Sequence, residues 1–159
     1  MKKLLKIART IIKKAVPFAL IIVILYSIIM NNQREQDQKE IDESFTNQLV
    51  LANGMLNNDY NKNDDEGKTF LRTTAAGSLY SSLNLMRFSS YNNNDNRNNL
   101  FGAINNLYLC MTNSNSSRII FTIYNKEVNQ YLVRIISNPN DEEACKALDE
   151  LTYSVLNSK

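Results

Sequence analysis

The feature that most constrains this chain is an uninterrupted apolar run at residues 15–30, AVPFALIIVILYSIIM, which holds no charged side chain. As a helix the run would be about 24 Å long, somewhat less than the hydrocarbon core of a bilayer at about 30 Å. Ile11 and Ile12 add a further turn if Lys13 and Lys14 extend their ammonium groups towards the lipid headgroups. The run therefore predicts a transmembrane helix that serves as a signal-anchor.

The charges are divided unequally around this run. Residues 1–14 carry six basic side chains before the first acid, Glu35, and their apolar residues recur at helical spacing opposite most of those bases. The six bases that flank the predicted span are Lys2, Lys3, Lys6, Arg9, Lys13 and Lys14. Positive flanks stay on the cytoplasmic side, and a basic amphipathic helix suits an anionic inner leaflet. We expect a cytoplasmic leader at residues 1–14, an anchor at 15–30 and an extracytoplasmic domain at 31–159.

The alternatives to a retained anchor are a cleaved signal peptide, an organelle-targeting leader and a buried core helix. A cleaved signal peptide would release a secreted helical domain, but residues 27–33 contain no small-x-small cleavage pattern. A basic nucleic-acid patch is not supported, because the residues after the run hold twelve bases and sixteen acids and so carry a net charge of −4. The expected partners are the lipid membrane and other membrane or envelope proteins, in a layout common among bacterial single-pass proteins.

Beyond the run, five segments place apolar residues at three- and four-residue steps, which is typical of amphipathic helices. They begin near Ile41, Thr69, Arg97, Arg118 and Asp141, and short polar segments separate them. The pattern predicts an all-α fold: one N-terminal transmembrane helix followed by a small antiparallel bundle of four or five helices.

The same pattern predicts several local features. The second helix should turn Phe70 inward, and the third should turn Phe101 inward. Ser116 or Ser117 is a candidate cap for the fourth. Residues 118–136 are rich in β-branched side chains, so a hairpin competes with a helix; a lone hairpin is unstable, which favours the helix.

The sequence offers few groups for catalysis or metal binding. Histidine is absent and glycine occurs four times, so zinc ligand sets and phosphate-binding glycine motifs are missing. Asp59, Asn61 and Asn63 open a loop like a calcium site, but Asp64 replaces the glycine expected at the sixth position and Phe70 the acid expected at the twelfth. We interpret this loop as solvated and acidic, and predict a protein that is not an enzyme and carries no cofactor.

Cys110 and Cys145 are the only cysteines, and two interpretations stay open. They could form a disulfide that closes a loop of about 35 residues, or remain two buried thiols. Neither has a histidine to activate it as a nucleophile.

The function expected from this pattern is that of a non-catalytic component or regulator of a membrane complex. Tyrosines near the apolar faces suit either bundle packing or a protein-contact surface. The alternatives are a ligand-sensing extracytoplasmic module that relays through a partner, or the secreted domain described above.

Overall fold

The computed structural model describes residues 2–158, with side chains described from Leu20 onward. Within that part of the chain there are six α-helices and no strand, which confirms the predicted all-α class. The helices are α1 (Lys2–Leu56), α2 (Asp65–Met86), α3 (Arg97–Thr112), α4 (Ser114–Thr122), α5 (Asn125–Ser137) and α6 (Glu142–Asn157). Short 3₁₀ turns at Tyr60–Lys62 and Ser90–Asn93 precede α2 and α3.

The chain forms two compact units, Met1–Lys39 and Glu40–Lys159. The first unit contains the beginning of α1. The six predicted flanking bases, the rest of the leader and the side chains of residues 15–19 lie outside the described side chains. Among the described residues, no helix combines the length and the apolarity that a membrane crossing requires.

The second unit is built around one apolar core to which all six helices contribute. The amphipathic segment predicted to begin near Ile41 is confirmed as an apolar stripe at the end of α1, since Phe45, Leu49, Ala52 and Leu56 are fully buried. Their three- and four-residue spacing places them on one face of the helix, so a single rotation buries them together.

The direction of the helices follows from contacts between their side chains. Tyr80 on α2 packs against Tyr108 on α3, and Arg72 near the start of α2 reaches Ser114 beyond the end of α3, so these neighbours are antiparallel. Among α2 to α6, however, the most extensive packing is between α3 and α6, which run parallel.

The parallel direction is fixed at both ends of the α3–α6 pair. The side chain of Asn96, at the start of α3, donates to the Cys145 sulfur near the start of α6, whereas Cys110 near the end of α3 lies against the Thr152 carbonyl further along α6. The predicted antiparallel arrangement thus holds for α2 and α3 but not for the pair with the largest contact.

The start of α2 differs from the prediction. The helix begins at Asp65, four residues before Thr69, because the Asp64 carboxylate caps it by accepting a hydrogen bond from the Gly67 amide at 2.8 Å. Phe70 is 60 % exposed, since Leu71 takes the inward position beside it. Phe101 is likewise exposed next to the buried Leu100, so both inward assignments were wrong.

Residues 118–136 belong to two helices, which makes the hairpin alternative wrong and the single helix incomplete. The chain breaks between α4 and α5 at Ile123 and Tyr124, and Ile123 is consequently 63 % exposed. The cap of α4 is Asn113, whose side chain accepts from the amides of Asn115 and Ser116, so Ser116 is a buried residue inside the helix rather than its cap.

The start of the last helix is confirmed. Asp141 precedes Glu142 and accepts a hydrogen bond from the Ala144 amide at 3.0 Å. Two acids in the first turn add to the cap, because the amino end of a helix carries partial positive charge.

Candidate functional site

In the calcium-like loop, Asp59 forms hydrogen bonds and an ion pair within the turn that follows it. The Asp59 carboxylate accepts from the Asn61 amide at 3.2 Å and pairs with the Lys62 ammonium at 3.0 Å, while Asn63 donates to the Asp59 carbonyl at 2.7 Å. The hydrogen bond from Lys62 holds the pKa of Asp59 below its usual value. Among the described residues, no group of three or more histidine, cysteine or acidic side chains is arranged to hold a metal ion.

The two cysteines are free thiols in separate places. The Cys110 sulfur lies 3.5 Å from the carbonyl of Thr152, which is seven residues along α6 from Cys145. That separation is about 10 Å along a helix axis, and a disulfide requires α-carbons within about 7 Å. The structure therefore holds two buried thiols, the second of the two arrangements considered from the sequence.

Neither thiol is poised as a nucleophile. Burial raises the pKa of Cys110 to about 12 and that of Cys145 to about 11. Because the thiolate is the reactive form, both cysteines are protonated and inert near neutral pH.

Most tyrosines of the second unit pack against other rings. Tyr60 stacks on Phe121 with ring centroids 4.7 Å apart, and Tyr91 lies 5.3 Å from Phe45. These contacts belong to the ordinary interior of the bundle, with each phenol at its edge. Tyr153, in contrast, is an exposed side chain on α6.

A shallow groove of about 380 Å³ lies between α2 and α3. Gly77 leaves it open, because a Cβ at that position would meet no atom within 4 Å. Its walls combine small and aromatic side chains with one cation: Arg72, Thr73, Ala76, Tyr80, Tyr108, Met111 and Thr112.

A second cavity, of about 350 Å³, lies between the end of α2 and the start of α3. Leu83 and Met86 are buried beneath it and Phe101 forms an apolar wall. Its polar lining is Arg87, Arg97 and Asn92. We call this the arginine cavity.

The arginine cavity was not found from the sequence. Its two arginines are ten residues apart: Arg87 directly follows α2 and Arg97 begins α3, so no local spacing connects them. The only signal in the sequence is that each lies close to apolar positions of its own helix.

A further surface lies on α1 in the first unit. From Leu20 to Ile29 the large apolar side chains are 51–66 % exposed. They occupy successive positions, so they cover every side of the helix rather than one stripe.

Comparisons with protein-family models, curated proteins and solved structures gave no match.

Proposed function

We propose that this chain is a single-pass membrane-anchored protein whose extracytoplasmic helical domain is a non-catalytic component or regulator of a membrane complex. The observation that carries the proposal is the exposure of large apolar side chains on every side of α1 from Leu20 to Ile29. Exposed apolar area on this scale marks a surface that binds something, and a helix that is apolar all round suits a lipid environment.

The polar groups within this stretch favour lipid as the covering medium. The Ser27 hydroxyl donates to the Val23 carbonyl at 2.8 Å, so its hydrogen bond is made inside the helix. A hydrocarbon environment requires such internal pairing, since it offers no water. Tyr26 lies near the end of the apolar run, where tyrosine is enriched at membrane interfaces.

The distribution of charge supports the orientation. Six bases precede the run and a net charge of −4 follows it. Since basic flanks are retained in the cytoplasm, the proposal assigns the helical domain to the opposite side.

Protease treatment of intact cells that make the full-length chain with a C-terminal tag tests this proposal. We expect protease to remove the tag from intact cells and the protein to stay in the membrane pellet after carbonate washing. A protected tag in intact cells that becomes sensitive after lysis would refute the orientation. Recovery in the carbonate supernatant would refute the anchor, and a mass short of residues 1–30 would indicate the secreted form.

The interaction role is tested by photo-crosslinking in native membranes. A photo-reactive residue at Tyr80, Ile123 or Tyr153 samples exposed positions on three different helices or their junctions. We expect at least one position to yield a discrete crosslinked protein, and Leu49, which is fully buried, serves as the negative control. Crosslinks to lipid alone at all three positions would contradict an interaction domain.

A further inference from the structure

The arginine cavity combines an apolar floor with two exposed arginine side chains, Arg87 and Arg97. Leu83 and Met86 lie beneath it, Phe101 walls it, and Arg87 and Arg97 line it together with the Asn92 amide. Its volume of about 350 Å³ falls within the range of small-ligand sites.

Neither guanidinium has a hydrogen bond or an ion pair to another side chain of the part of the chain that the structure describes. Arg134 provides the contrast, because it donates to Asp141 at 2.8 Å and to Glu143 at 2.7 Å. No such pairing holds the guanidinium groups of Arg87 and Arg97 in the described part of the chain.

The location of Arg97 is unfavourable for folding alone. It is the first residue of α3, a helix of 16 residues with no acid in its first turn and no side-chain cap from Asn96. A cation at this end is opposed by the positive pole of the helix dipole. An anion held by Arg97 and Arg87 would relieve that opposition.

We propose that the arginine cavity binds an anionic amphiphile, with a phosphate or carboxylate head between the two guanidinium groups and a short apolar chain on the floor. Arginine suits such heads because its planar donors can form paired hydrogen bonds with two oxygens. Asn92 adds an amide donor at the rim. The proposal concerns the Glu40–Lys159 unit and does not rest on membrane anchoring.

Isothermal titration of the full-length chain in neutral maltoside micelles tests the site, with octyl phosphate as the probe and a micelle-only titration as the blank. Inorganic phosphate and octanol separate the contributions of head and tail. We expect octyl phosphate to bind at least tenfold more tightly than either. Equal affinity for phosphate and octyl phosphate, or for octanol and octyl phosphate, would overturn the proposal.

Arg87→Gln and Arg97→Gln should each weaken binding of octyl phosphate about tenfold, which is the usual effect of losing a charged hydrogen bond. Arg118→Gln is the matched control, because Arg118 is an exposed arginine of α4 and the change in net charge is identical. We expect that control to bind within twofold of the unaltered chain. An equal loss in the control would show non-specific charge attraction and overturn the site.

Thermal unfolding of the same variants separates binding from folding. Because neither arginine has a side-chain partner among the described residues, we expect Arg87→Gln and Arg97→Gln to keep the melting temperature of the unaltered chain. A fall as large as that of a core substitution would show a structural role and overturn the proposal.

The source of the ligand is addressed in nanodiscs. One outcome is that octyl phosphate binds more weakly in phosphatidylglycerol discs than in phosphatidylcholine discs, and that the Arg87→Gln, Arg97→Gln double variant loses this binding. That outcome would identify a lipid headgroup as the occupant. Equal binding in both discs that is still lost in the double variant would identify a freely diffusing amphiphile; either result supports the site. Binding in both discs that the double variant retains would overturn it.

Discussion

Helix α1 carries two apolar stretches that differ in burial. In the first, from Leu20 to Ile29, large apolar side chains on every side are more than half exposed. In the second, Phe45, Leu49, Ala52 and Leu56 are fully buried, while Val50 and Leu51 between them remain about half exposed. One helix thus presents an apolar cylinder and, further along, an apolar stripe.

The angular distribution of apolar residues around the helix, more than their number, decides whether neighbouring helices can bury them. A stripe can be covered completely by the neighbouring helices of a small bundle, so burial ends at the edge of the stripe. A cylinder needs cover on all sides, which a medium such as lipid can supply. The following tests are ordered by the size of the expected effect.

The largest effect should come from lysine substitutions made in each stretch. Leu25→Lys, combined with Ile24→Lys, places charge in the cylinder at about 2.5–3.5 kcal/mol per residue for membrane insertion. We expect carbonate washing to release this variant from membranes. Its thermal unfolding transition, followed by circular dichroism, should be retained. Leu49→Lys places an unpaired charge in the core. It should abolish the cooperative thermal unfolding transition without releasing the protein from membranes.

The cylinder variant should therefore lose membrane retention and keep its thermal unfolding transition, whereas the core variant should show the reverse. If Leu25→Lys with Ile24→Lys left membrane retention unchanged, the cylinder would not be an anchor. If Leu49→Lys melted normally, the stripe would not be part of the core.

A smaller effect should distinguish two leucines of the same turn of α1. Leu49 is fully buried and Leu51 is 51 % exposed. Leu49→Ala should lower the free energy of unfolding by about 2–5 kcal/mol, through lost burial and the cavity left behind. Leu51→Ala should stay within about 0.5 kcal/mol of the unaltered chain. Urea unfolding of both variants measures the difference, and equal losses would contradict the stripe.

The smallest effect concerns charge rather than apolar burial, at the junction of α5 and α6. Arg134 donates to Asp141 at 2.8 and 2.9 Å, and this pairing lowers the pKa of the Asp141 carboxyl. A lowered pKa in the folded state contributes stability above the pKa of the unfolded state, about 3.9, and that stability is lost as pH falls through the folded value. The side chains are solvated, so the contribution is small.

Asp141→Asn isolates this charge, because asparagine is also a good helix cap. We expect the variant to melt slightly below the unaltered chain at pH 7, and the difference to shrink as pH falls below about 4 and through the lowered pKa of the folded-state carboxyl. A difference that stayed constant down to acid pH would show that the charge is not its cause.

Some local features followed from the sequence and others did not. The stripe on α1 and the Asp141 cap were predicted because both depend on residues within one or two turns. The start of α2 was missed because the Asp64 cap was taken as part of an acidic loop. The break at Ile123 was missed because the apolar spacing of residues 118–136 continues through it.

By itself, the sequence determined the helical class, the apolar run and the division of charge, since these follow from periodicity and composition along the chain. Only the tertiary structure decided that α3 and α6 pack in parallel, that Cys110 and Cys145 lie apart, and that Arg87 and Arg97 share a cavity. The physical reason is that these pairs are joined through packing between helices. Their separation in the sequence does not encode the rotation and direction with which those helices meet.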